Sequence, residues 1–205
     1  LADEPHLSAQ VQVLLPPHAS PHSYAMKISD RQKMQKADLL LWVGEDLERF
    51  LQKPISQLSP GRSVAASQIP GISWPHPEKE NKGHKHEGLH DPHLWLNPQN
   101  AIAIIESVTI RLEQLDPSSA ESYRFRAKRL INKINEIDTK IIELADKFKD
   151  KPFFVSHDGF GHFVDRYDLN QIAAIRSKVD SKPGARHLYR LKKKAESETA
   201  ACGFV

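Results

Sequence analysis

Residues 117–149 read PSSAESYRFRAKRLINKINEIDTKIIELADKFK. Apolar residues recur along them at Tyr123, Ala127, Leu130, Ile134, Ile137, Ile141, Ala145 and Phe148. The steps are of three and four residues, which is one face of a helix. Asp116 stands where a helix is capped, and Pro117 at the first helical position. One helix from Pro117 to Lys149 is therefore expected, about 50 Å long at 1.5 Å per residue. That is longer than a small domain is wide, so the helix is read as a connector holding the spacing of two lobes.

On its N-terminal side, Gln10 to Leu15 (QVQVLL) alternates and reads as a strand, with His18 to Ser23 (HASPHS) as the loop after it. Arg31 to Lys36 reads as a short helix behind Ser29-Asp30. Asp38 to Gly44 (DLLLWVG) has the continuous apolar centre of a buried parallel strand. Glu45 to Leu51 starts a helix that Pro54 interrupts or ends, Ser63 to Ala66 is a further strand, and Pro98 opens a helix to about Leu115. On the C-terminal side, Pro152 to Val155 (PFFV) and Gln171 to Ile175 (QIAAI) read as buried strands, with Phe160 to Tyr167 helical between them. Pro183 opens a basic helix to about Glu196, and Ala200 to Val205 starts another strand.

Alternating strands and helices mean an α/β fold. The expected organisation is an N-terminal α/β lobe at 1–115 with a His-rich loop at 69–92, a linking helix at 116–150, and a C-terminal α/β lobe at 151–205. Each lobe is a mainly parallel sheet flanked by helices. The chain stops within the last strand, so the second lobe is expected to be incomplete.

Composition narrows the function classes. The chain has 205 residues, 39% of them hydrophobic and 27% charged, which fits a globular protein. No apolar run exceeds five residues, against the roughly 20 of a membrane span, so no direct membrane insertion is expected. A net charge of +3 is too weak to argue for nucleic acid. The single cysteine, Cys202, excludes an internal disulfide, a Cys-rich zinc finger and an iron–sulfur site within this chain.

Histidine is the outlier, with 11 residues. His22 follows the first expected strand, His93 the long loop, and His157 the first strand of the second lobe, each near a Pro or Gly. Imidazole is a common zinc ligand, and ligands drawn from both lobes would close a site between them. A surface or capping role is the ordinary alternative for each. The loop histidines His84, His86 and His90 lie among Glu78, Glu80, Glu87 and Asp91, and short His-rich tracts point to metal binding. Such a tract suits zinc, copper or nickel better than calcium or magnesium. A solvated polar loop is its alternative. His157-Asp158 invites a hydrolase reading with Asp158 as base. No Gly-x-Ser-x-Gly, His-Glu-x-x-His or phosphate loop accompanies it. Trp42 and Trp95 are expected in the core.

Taken together, LLPPHASPHSYAMKISD (14–30), ADLLLWVGEDLERFLQKP (37–54), DPHLWLNPQNA (91–101), FFVSHDGFGHF (153–163) and PGARHL (183–188) resemble the zinc-specific solute-binding proteins of bacterial ABC importers, the ZnuA type. The blocks occur in the family's order and span essentially the whole chain. The resemblance implies two α/β lobes joined by one long rigid helix, with Zn2+ in the interlobe cleft. Carried over by motif, the ligands are His22, His93 and His157. The loop histidines His84, His86 and His90, read from their tract alone, are expected to form a secondary, weaker site. Some members place a carboxylate directly before the first histidine, where this chain has Pro21. The fourth ligand would then be water, or an Asp beyond Val205. Manganese-type relatives carry Glu at the third position, so His157 favours zinc.

The resemblance further implies a monomeric periplasmic protein that delivers zinc to the membrane subunits of an ABC permease and is not an enzyme. The alternatives are a zinc-dependent hydrolase and a metal-binding, adhesin-like surface protein. It also implies that the chain is trimmed at its N-terminus, and that Cys202 has a disulfide partner in a missing C-terminal part.

Overall fold

The computed structural model describes residues 10–76, 91–176, 183–200 and 202–204. The fold is α/β, built on parallel sheets flanked by helices. The chain divides into two compact units, Leu1–Ile72 with Pro98–Glu136, and Ser73–Asn97 with Ile137–Val205.

In the first unit, strands β1 (Leu40–Trp42) and β2 (Ser63–Ala65) pair in parallel, with Leu40 opposite Ser63 and Trp42 opposite Ala65. Helix α1 (Ile28–Lys36) precedes them. The Asp30 carboxylate accepts the Lys27 amide at 2.9 Å, satisfying a donor that a helix start leaves unpaired. At the other end the Arg62 guanidinium donates to the Gln35 carbonyl at 2.9 Å and to the Ala37 carbonyl. Met34, Trp42 and Leu51 form the core cluster, against which Leu14, Phe50 and Ile55 pack.

Two sequence expectations are corrected here. Gln10 to Leu15 is not a strand: Val11 and Val13 are 59% and 75% exposed, and no described strand pairs with the segment. Alternation makes a strand only where a neighbour takes up the backbone hydrogen bonds. The helix expected at Glu45 to Leu51 is a turn followed by a 3-10 turn at Arg49–Leu51, and α2 (Gln52–Ile55) contains Pro54. A proline is tolerated there because the first helical amides have no intrahelical acceptor to lose.

Helix α3 (Pro98–Leu115) matches its expected limits. A 3-10 turn at Pro117–Ser119 leads into α4 (Ala120–Ala145). Asp116 organises this start, accepting from Ser118 Oγ at 2.6 Å and from the Tyr123 hydroxyl at 3.1 Å. The 26 residues of α4 extend about 39 Å. The helix stops short of Lys149. Beyond Ala145 the chain tightens into i→i−3 bonds, Lys147 to the Leu144 carbonyl and Phe148 to the Ala145 carbonyl, which end α-helical winding. Residues of α4 up to Glu136 group with the first unit and those from Ile137 with the second.

The second unit is a three-stranded parallel sheet in the order β4-β3-β5, with β3 at Phe153–His157, β4 at Gln171–Arg176 and β5 at Cys202–Phe204. Helix α5 (Gly161–Arg166) connects β3 to β4, and α6 (Ala185–Glu198) lies between β4 and β5. Phe153, Val155, Val164 and Ala174 form the core around the central strand, which explains the unbroken apolar runs of β3 and β4. Asp138 of α4 accepts from Arg166 at 2.5 Å and from the Tyr167 hydroxyl at 2.8 Å, fixing the end of α5. Among the described residues no helix is long and apolar enough to cross a membrane.

Gly44 follows β1 with φ at +147°, and a Cβ there would strike Ser67 Oγ. Gly44→Ala is expected to lower stability by about 1–3 kcal/mol, the scale of backbone strain plus a local clash. Urea denaturation checks this, and an unchanged midpoint would mean that the turn relaxes without penalty.

Candidate metal centre

Parallel α/β sheets present ligands at the carboxyl ends of their strands. His157 is the last residue of β3, the central strand of its sheet. A short turn through Gly159 then leads into α5. His93 stands immediately before a 3-10 turn at Leu94–Leu96, and the fully buried Leu94 anchors it. The two imidazoles meet with Nε2 atoms 3.3 Å apart and ring planes at 71°.

A buried carboxylate braces this pair. Asp91, 2% exposed, accepts the His93 amide at 3.0 Å and lies 2.6 Å from His93 Nδ1 through the same oxygen. Its other oxygen accepts the Gly161 amide at 3.0 Å, at the start of α5. Its backbone carbonyl accepts from His162 Nε2 at 2.9 Å. Burial pushes the Asp91 carboxyl up, but the hydrogen bonds and charge of His93 outweigh it and hold the group below its ordinary value. An ionised Asp91 keeps the proton of His93 on Nδ1 and directs the Nε2 lone pair toward His157. Two nitrogens bound to one tetrahedral ion at 2.0–2.1 Å stand about 3.4 Å apart, so the observed spacing suits a shared ion. Glycine keeps the adjoining space open. A Cβ on Gly159 would collide with His157 Nε2 and lie 2.8 Å from His93 Cε1. One on Gly161 would lie 2.7 Å from Asp91 Oδ2.

The remaining candidates fall as follows. His22 lies in the first unit in an exposed turn, its amide 3.3 Å from Ser20 Oγ. Two residues on, the Tyr24 hydroxyl donates to Asp30 at 2.7 Å and its ring meets Phe50 edge-on, anchoring the turn to α1. His84, His86 and His90 lie outside the described residues. Asp158 accepts a hydrogen bond from Gln171 Nε2 at 3.3 Å. Trp95, expected in the core, is 44% exposed, with its ring edge-on to His93. The 3-10 turn turns Leu94 inward and leaves the next side chain outside.

Sequence reasoning missed Asp91, Gly159 and Gly161. The signal for Asp91 was the Asp-x-His spacing, since an aspartate readily bonds the backbone two residues on. The glycines bracket Phe160 directly after the Ser-His-Asp turn, a place where a side chain would fill the site.

Residues 7–205 match the protein family described as ZnuA, zinc-uptake complex component A periplasmic. The chain belongs to that family. It is similar to the high-affinity zinc uptake system protein ZnuA of Yersinia pestis, 29% identical over 213 residues, covering 94% of this chain and 67% of the relative. The protein of the same name from Haemophilus ducreyi is 31% identical over 218 residues, covering 95% and 69%. Among solved structures, the metal-dependent lipoprotein YcdH of Bacillus subtilis is similar at a TM-score of 0.77 and 27% identity, covering 95% of this chain and 69% of that one. The Zn(II)-bound ZnuA-like domain of Streptococcus pneumoniae AdcA gives 0.76 and 26%, with the same coverage.

Asp91→Asn keeps the shape but must point an amide N–H at either His93 Nδ1 or the Gly161 amide. Metal affinity, probed with Zn2+ against a competing chelator, is expected to fall about 10- to 100-fold, the usual effect of losing a ligand's outer partner. Wild-type affinity would show that the carboxylate does not brace the pair.

Burial lowers the pKa of His162, partly opposed by its bond to the Asp91 carbonyl. The unfolded chain, with its imidazole near 6.5, binds this proton more readily than the folded one. The stabilisation is thus complete above about pH 6.5 and is lost as pH falls below that value. Thermal melts of the metal-free protein should drop between pH 7.5 and 5.5, and less so in His162→Asn; equal slopes would clear His162 of this role.

Proposed function

We propose that this protein captures Zn2+ in the periplasm and delivers it to the membrane subunits of an ABC-type import permease, with His22, His93 and His157 as its zinc ligands. The observation that carries the reading is the His93–His157 pair, 3.3 Å apart and braced by Asp91, in a chain of a zinc-uptake family. Zinc as cargo is supported by relatives named for zinc uptake and by the Zn(II)-bound AdcA domain. The donor set agrees, because imidazole suits zinc whereas a glutamate in place of His157 would suit manganese. His22 enters on its Ser-Pro-His-x-Tyr motif.

Three imidazoles must be neutral to bind and leave the dication's charge uncompensated. A fourth position taken by water or a carboxylate completes a tetrahedral site that binds tightly and still exchanges. Catalysis is not part of this reading. A zinc hydrolase needs a base acting on metal-bound water, and Asp158 has Gln171 as its partner. His84, His86 and His90 are read as a second, weaker site that collects the ion. The protein is read as a monomer.

Calorimetric titration should resolve a tight phase of one Zn2+ and a weaker one. With about 10–16 kcal/mol spread over four zinc ligands, replacing His22, His93 or His157 by Ala should weaken the tight phase by on the order of a hundredfold. Replacing His84, His86 and His90 together should remove only the weak phase. Wild-type tight binding in all three single variants would overturn the ligand assignment. Failure of the wild-type gene to restore zinc-limited growth in a strain lacking its own copy would overturn the transport role.

A further inference from the structure

Helix α6 carries a charge pattern that zinc capture does not use. Between Ala185 and Ala195 stand Arg186, Arg190, Lys192, Lys193 and Lys194, with no acid among them. Outside these five the chain has 24 Lys and Arg against 26 Asp and Glu, so its positive excess resides on this helix. One face of α6 is held to the sheet: His187 Nε2 donates to the Ile175 carbonyl at 3.1 Å and Lys194 Nζ to the Ile172 carbonyl at 2.6 Å, while Leu191 and Ala195 are half-buried. The opposite face presents Arg186, Arg190 and Lys193 at i, i+4 and i+7, all exposed, beside exposed Lys192, Leu188 and Tyr189. Lys193 lies over the Tyr189 ring at 6.0 Å and reaches Glu196 at 3.9 Å. Among the described residues Arg186, Arg190 and Lys192 form no ion pair.

This order of charges works against the helix itself. Arg186 sits in the first turn, near the positive end of the helix dipole, and Glu196 and Glu198 in the last turn, near the negative end. Arg186 and Arg190, four residues apart, repel each other. Local stability therefore does not account for the pattern, whereas an anionic surface outside the molecule does. The ridge is the convex side of a helix, about 10 Å from Arg186 to Lys193, and not a groove. It fits a flat field of laterally mobile anions better than a peptide. Tyr189 and Leu188 combine with the basic stems as side chains at a headgroup layer do. The inward face is already spent on the sheet, so contact is superficial.

We propose that the exposed face of α6 is a docking site for anionic phospholipid headgroups, which holds the protein electrostatically at a bilayer surface. The proposal is independent of the zinc site, and its test contains no metal. The intact chain is sedimented with vesicles of phosphatidylcholine alone and with vesicles containing phosphatidylglycerol, at low and raised salt. Wild type should bind the anionic vesicles and be released by salt. Each basic residue near such a surface contributes about fivefold, about 1 kcal/mol, so Arg186→Gln/Arg190→Gln/Lys193→Gln should lose about a hundredfold. Lys128→Gln/Arg129→Gln/Lys133→Gln on the exposed face of α4 removes the same charge and should retain binding. If the α6 triple variant loses helicity by circular dichroism, Arg190→Gln alone carries the comparison, expected about fivefold weaker. Equal sedimentation of wild type with both vesicle types would overturn the proposal in favour of an acidic protein partner. Equal losses in the α4 and α6 variants would overturn it in favour of net charge alone.

Discussion

The second unit turns on the Asp91 carboxylate. A buried ionised carboxylate survives only if its oxygens are satisfied, and here one holds His93 and the other the amide that opens α5. The same group therefore fixes the His93 tautomer and the far side of the turn that carries His157. If the bond to Gly161 fails, the turn is released, and if the bond to Nδ1 fails, the His93 lone pair loses its aim. Gly159 and Gly161 are required by the same arrangement, because any Cβ there would enter the space around the pair or press on the carboxylate.

A binding protein for a transported ion needs a site already assembled but not too closed. The strand end and the buried Leu94 supply the assembly, since the His93 and His157 imidazoles both hang from backbone that the core holds in place. A pair built this way has little chain entropy left to lose on binding.

Much of the fold was legible in the sequence, for identifiable reasons. Phe153 to Val155 and Gln171 to Ile175 are continuous apolar runs, and both are strands buried in a parallel sheet. Pro98 opens its helix where expected because a first helical residue needs no amide donor. Gln10 to Leu15 had the right local pattern and failed, since a strand also depends on a distant partner. The stripe through Phe148 promised four more helical residues, but periodicity reports which side chains share a face and not where i→i−3 bonds take over. At the site, the pairing of His93 with His157 was readable from motif and position. The role of Asp91 was hidden because a single carboxylate in an acidic, His-rich stretch looks like solvated charge until its burial is known.

Helix α4 belongs by its contacts to both units, changing allegiance between Glu136 and Ile137 without a break in winding. Tyr123 and Ala127 are buried on one side of that point, Asp138 and Ala145 on the other. Because each helical amide bonds to the carbonyl four residues back, the turn across this point draws its hydrogen bonds from residues on both sides, and a proline placed there would fray α4 in both directions.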